Sequence, residues 1–117
     1  MNKVILIGRL TRSPEVRYSQ QGLSVARYTL AVNKRIKQQE QPEADFINCI
    51  AFGKLAEFAE KYLNQGQKIA IVGRLQVRSW ENESGQKQWS TEVIAEEQYF
   101  ADSKRIDTNE SDDDLPF

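Results

Sequence analysis

The stretch "KIAIVGRLQVRSWENESGQKQWSTEV", residues 68–93, holds two alternating runs joined by a turn signal. Ile69, Ile71, Gly73, Leu75 and Val77 share one parity, and Arg74, Gln76, Arg78 and Trp80 share the other. Successive side chains of a strand point to opposite faces. The pattern therefore predicts a strand with an apolar core face and a second face carrying two guanidiniums and an indole. "NESGQ" at 82–86 supplies Gly85 for a tight reversal, and the chain runs back as the partner strand through Phe100. Gly73 interrupts the apolar face, as a glycine does at a bulge or where a strand bends round a barrel corner.

Toward the N-terminus, "VILIGRL" at 4–10 echoes "IAIVGRL" at 69–75, with Gly8 standing where Gly73 stands. Val4 to Ile7 is apolar on both parities, which predicts a strand covered on both sides. In "SVARYTLAVN", 24–33, Ala26, Tyr28, Leu30 and Val32 take one face, and Arg27, Thr29, Ala31 and Asn33 the other. Gln20–Gly22 before it is a turn signal. "KRIKQQEQPEAD", 34–45, reads as a long polar loop, and "FINCIAFG" from Phe46 as the third strand. The period then changes. Leu55, Phe58, Ala59, Tyr62 and Leu63 fall on one helical stripe, with Gly66 as the stop. Five strands with a helix between the third and fourth predict an all-β fold with one helix, a closed five-stranded Greek-key barrel of the OB-fold type. A split α+β sheet is the alternative.

The formal net charge of −1 hides a partition. Residues 102–117 hold six acids and two bases, a net of −4, so residues 1–101 hold fourteen bases and eleven acids, a net of +3. A basic body with an acidic appendage is expected of a nucleic-acid binder or of a protein with a solubilising tail. Two units are expected: a barrel over 1–101, and a short linker with an acidic tip over 102–117. A single cysteine excludes an internal disulfide, and no run is apolar enough for a signal peptide or a membrane span, so a cytoplasmic, nucleoid-associated location is expected.

Catalytic chemistry is poorly supplied. The chain has no histidine, and its one thiol, Cys49, lies inside a strand with no imidazole to activate it. No cysteine or histidine pair has metal spacing, so no metal or cofactor is expected and the chain does not read as an enzyme. Binding chemistry is better represented. Phe46, Asn48, Ile50 and Phe52 share one parity of the third strand, opposite the smaller Ile47, Cys49 and Ala51. With the smaller set inside the barrel, Phe46 and Phe52 face outward, as Trp80 does on the fourth strand. Exposed rings stack on bases whatever the sequence, and arginines and lysines neutralise phosphates. Phe46, Phe52 and Trp80 are accordingly the candidate stacking residues, and Lys34, Arg35, Lys54, Arg74 and Arg78 the candidate phosphate contacts. Core or subunit-interface packing is the competing role for the two phenylalanines. Trp89 shares parity with Thr91, Val93 and Ala95 and reads as inward packing.

Four stretches in order, "NKVILIGRLTRSPEVRY", "DFINCIAFGKLAEFAEKYLNQG", "GRLQVRSWENESGQKQWSTEV" and the terminal "DDDLPF", resemble the bacterial single-stranded DNA-binding protein family. The resemblance implies an OB-fold homotetramer that wraps single-stranded DNA without sequence preference in replication, recombination and repair. It implies stacking by aromatic residues of the third strand and of the hairpin after the fourth, which match Phe46, Phe52 and Trp80. It further implies that the first strand forms the twofold contact. Asp112, Asp113, Asp114, Leu115, Pro116 and Phe117 would form a docking tip for replication, recombination and repair proteins. The chain departs from the family in having Ile36 where a tryptophan is common, and only about ten residues of linker before the tip. Two other classes stay in view: an adaptor acting through protein contacts, and an RNA chaperone of the cold-shock kind.

Overall fold

The computed structural model describes residues 1–35 and 43–102. Ile36 and the expected linker and tip from residue 103 onward lie outside the described residues. Six strands and one helix follow in the order β1 (Val4–Leu10), β2 (Glu15–Tyr18), β3 (Ser24–Asn33), β4 (Ala44–Phe52), α1 (Lys54–Tyr62), β5 (Lys68–Glu81) and β6 (Lys87–Phe100). The pairings β1–β5–β6–β4–β3 return to β1 at Arg9–Leu10 against Leu30–Ala31, so five strands close into a barrel. β2 is an addition to the five expected strands, pairing Glu15–Tyr18 with Ser24–Arg27. It moves the helix to the interval between β4 and β5. In the "EVRY" segment only Val16 meets the core, which left no alternation strong enough to read as a strand.

The two mid-strand glycines sit where backbones crowd. A Cβ on Gly73 would lie 2.1 Å from the Ile94 carbonyl oxygen, at the register shift between Val72 and Gly73 against β6. A Cβ on Gly8 would lie 2.7 Å from the Ala31 carbonyl oxygen, where β1 passes from β5 toward β3. Both positions are corners of the closed sheet.

The core gathers the inward parity of each strand: Leu10; Ala26, Tyr28 and Leu30; Cys49 and Ala51; Ile69 and Ile71; Val93 and Ala95. From α1 come Ala56 and Ala59, with Leu63 just beyond the helix and Leu55 and Phe58 partly buried. The helical stripe is thus rotated slightly from the expected one. Tyr62 is exposed and Ala56 is sealed. The helix stops at Tyr62 because Leu63 is extended, and Gly66 belongs to the following turn, where its N–H donates to the Leu10 carbonyl. Tyr28 O–H donates to Gln98 Oε1 at 2.7 Å, and burial raises the Tyr28 pKa.

Three expectations about burial are corrected. Leu75 and Val77 continue the core parity but are exposed, and Trp89, expected to pack inward, is 64% exposed. β1 pairs with β5 only from Lys68 to Gly73 and β4 with β6 only at Val93 and Ile94, so farther out, among the described residues, β5 and β6 pair only with each other. Ile5 and Ile7 are also exposed, since among the described residues the second side of β1 meets nothing.

Candidate nucleic-acid interface

The cross-strand registers assemble one continuous outer surface. Arg27, Thr29 and Ala31 of β3 stand beside Ile50, Asn48 and Phe46 of β4, and Val25 beside Phe52. Ile50 stands beside Ile94 of β6 in the parallel pairing. From Ile94 the surface continues through Glu92, Ser90 and Gln88, which face Gln76, Arg78 and Trp80 of β5. Phe46 is 63%, Phe52 42% and Trp80 45% exposed. Ile50 shares the parity of the two phenylalanines yet is buried, because it lies mid-sheet with Arg27 on one side and Ile94 on the other.

A groove of about 540 Å³ crosses this surface, lined by Arg12, Arg27, Thr29, Asn48, Ile50 and Glu92 among others. Arg12 is exposed there and makes no ion pair among the described residues. Thr29 Oγ1 and Asn48 Oδ1 are 2.9 Å apart, so the hydroxyl donates to the amide carbonyl. At one end of the groove Glu92 accepts from Arg78 Nε at 3.0 Å and Arg78 Nη2 at 3.1 Å, and from Arg27 Nη1 at 3.4 Å. The fork of Arg78 thus grips both carboxylate oxygens, and the guanidinium carbon lies 5.8 Å from the centroid of the Trp80 ring. Hydrogen bonding by Arg78 lowers the Glu92 pKa, against the opposing effect of burial, and the charges of Arg78 and Arg27 add to the lowering.

The other expected phosphate contacts are distributed around the rim. Lys34 Nζ pairs with Asp45 Oδ1 at 2.8 Å, and Arg74 Nη1 with Glu96 Oε2 at 3.3 Å. Exposed pairs of this kind contribute little and exchange readily for another anion. Arg35 is exposed beside the end of β3, and Lys54 is exposed at the first turn of α1, next to Phe52 in the chain. Cys49 is buried, and burial pushes its thiol pKa up to about 12, so it stays protonated and unreactive at neutral pH.

Residues 1–101 match a family model described as the single-strand binding protein family. The chain belongs to that family. Within it, the chain is similar to the protein named single-stranded DNA-binding protein 1 of Staphylococcus aureus (strain MSSA476), with 48% identity over 113 residues, 96% of this chain and 72% of the relative. The protein of that name from Streptococcus pyogenes serotype M18 is 50% identical over 97 residues, 82% of this chain and 75% of the relative. The single-stranded DNA-binding protein of Halalkalibacterium halodurans is 46% identical over 105 residues, 89% and 62% respectively. On the single-strand binding fold of this chain, sequence parity picked out the rings but missed Arg12, Arg27 and Glu92. Arg27 was legible as an outward residue of its strand, whereas Arg12 lies outside any strand and only the closed barrel brings it to the groove.

Proposed function

We propose that this chain binds single-stranded DNA without sequence preference and without catalysis, protecting exposed strands during replication, recombination and repair. The observation that carries this reading is the groove of β3, β4 and β6, flanked by exposed Phe46, Phe52 and Trp80 and supplied with arginines from several elements. Bases stack on the rings, each ring contributing about 1–3 kcal/mol by truncation. Phosphates exchange into the rim pairs of Lys34 and Arg74 and contact Arg12, Arg35, Lys54 and the outward edge of Arg78. The family membership and the relatives' printed names support the choice of ligand.

The functional assembly in this reading is a homotetramer, and exposed Ile5 and Ile7 on β1 supply apolar surface for its twofold contact. Residues 1–101 act as the DNA-binding unit, and 102–117 as a linker and tip. Asp112–Asp114 steer basic pockets of replication, recombination and repair proteins, while Leu115, Pro116 and Phe117 fill them. The work is cytoplasmic and nucleoid-associated, in keeping with a free, buried cysteine.

Titration with oligo(dT) tests the reading. Emission from Trp80 and Trp89 is quenched on binding, and affinity falls with salt by about 0.7 in log–log slope per phosphate contacted. Unquenched emission at low salt would remove single-stranded DNA as the ligand. Preference for an RNA of matching sequence would move the chain to the RNA-chaperone class.

A further inference from the structure

A carboxylate is out of place on a surface that binds a polyanion, and Glu92 is 4% exposed in the middle of one. Burying an anion is costly unless it is fully paired, and an apolar side chain of similar volume commonly serves stability as well. Glu92 is fully paired. Both oxygens accept from guanidiniums, and Gln76 is its cross-strand neighbour. The two arginines come from opposite directions. Arg78 lies on the neighbouring strand β5, whereas Arg27 lies on β3 and reaches Glu92 across β4, beside Ile50. One buried charge thus ties the β5–β6 hairpin to the far side of the groove.

We propose that Glu92 is a positioning residue for DNA binding, holding the Arg78 guanidinium fixed and, through it, orienting the Trp80 ring. Arg78 spends Nε and Nη2 on the carboxylate. Its guanidinium carbon is thereby held 5.8 Å from the Trp80 centroid, within cation–π range. Trp80 sits on a hairpin that lacks a facing layer, so without this contact its ring would sample several rotamers and lose part of its stacking free energy on ordering. Glu92 touches no ligand in this scheme. It acts by preorganising the Trp80 ring, which does.

The inference rests on the proposed DNA binding, and its test separates the two. Glu92→Gln keeps the shape and removes the charge. Arg78→Lys keeps a charge and removes the fork. In the full-length protein, each is expected to weaken oligo(dT) binding about threefold to tenfold, the range of an exposed to partly desolvated cation–π contact. In a Trp80→Ala background the same substitutions should weaken it less than twofold, because the group they position is gone. A merely structural role would give equal losses in both backgrounds and would overturn the proposal. A DNA-free readout stands beside it: with Trp89→Phe leaving Trp80 as the sole indole, Glu92→Gln should raise acrylamide quenching of Trp80. Unchanged quenching would overturn the proposal even if oligo(dT) fails to bind the unsubstituted protein. Should Glu92→Gln fail to fold, Arg78→Lys carries both measurements.

Discussion

Phe46→Ala separates stacking from folding more cleanly than any other substitution on the surface. The ring is 63% exposed, so just over a third of it is withdrawn from water in the free chain. Full burial of a phenylalanine is worth about 1.5–3 kcal/mol, and a third of that sets the folding cost at roughly 0.5–1 kcal/mol. The stacking loss is larger, about 1–3 kcal/mol, or roughly five- to 150-fold in affinity. Because the ring carries no charge, the dependence of affinity on salt should keep its slope. The assay is tryptophan emission during oligo(dT) titration at several salt concentrations, and it leaves the reporters Trp80 and Trp89 intact. Ile50→Ala is the control: same parity, 3% exposed, and therefore a loss of about 2–5 kcal/mol in stability. An unchanged affinity for Phe46→Ala, or a change confined to the salt slope, would refute a stacking role for this ring.

Three further outcomes are expected. Arg12→Ala should flatten the log–log salt dependence of oligo(dT) affinity by about 0.7, the contribution of one phosphate contact, with the melting temperature unchanged; an unaltered slope would place Arg12 outside the path of the strand. Gly73→Ala brings a methyl to 2.1 Å from the Ile94 carbonyl oxygen and forces the bulge to open. It should cost about 1–3 kcal/mol and lower the melting temperature by several degrees in a thermal scan. The third concerns acid. The folded-state pKa of Glu92 is depressed, chiefly by its Arg78 hydrogen bonds, with Arg27 and Gln76 adding to the effect. Its contribution is therefore complete above the ordinary carboxylate pKa and is lost as pH falls through the depressed value. Thermal melts from about pH 5 down to about pH 3 should fall less steeply for Glu92→Gln than for the unsubstituted chain, and parallel slopes would contradict this.

Legibility in the sequence followed the reach of local periodicity. Alternation located the long strands, and two glycines inside apolar runs marked the places where β1 meets β3 and where β5 shifts register against β6. These are local signals, since parity and steric exclusion act within a few residues. β2 escaped because four residues with one core contact carry almost no period. The groove escaped for a different reason. Arg12, Arg27 and Glu92 lie in separate stretches of the chain, and only closure of the sheet places them side by side.

The errors at Leu75, Val77 and Trp89 have a common physical source that bears on the binding surface. Parity fixes which way a side chain points, but burial also requires something to point at. β5 and β6 each run to Glu81 and Lys87, well past the last residue of β1 that could cover them. Beyond Leu75 and Val93 the hairpin is thus, among the described residues, a two-stranded ribbon, a unit that is marginally stable by itself in water. A ribbon of this kind presents Trp80 accurately only if something fixes it from the side. Among the described residues, Asn2 does so at the root, where its side chain donates to and accepts from the Leu75 backbone at 2.8 Å. Farther out, the tie is the bridge from Glu92 to Arg27. A buried charge that a stability argument would replace with a hydrocarbon is therefore placed where it links the outer hairpin to the far side of the groove.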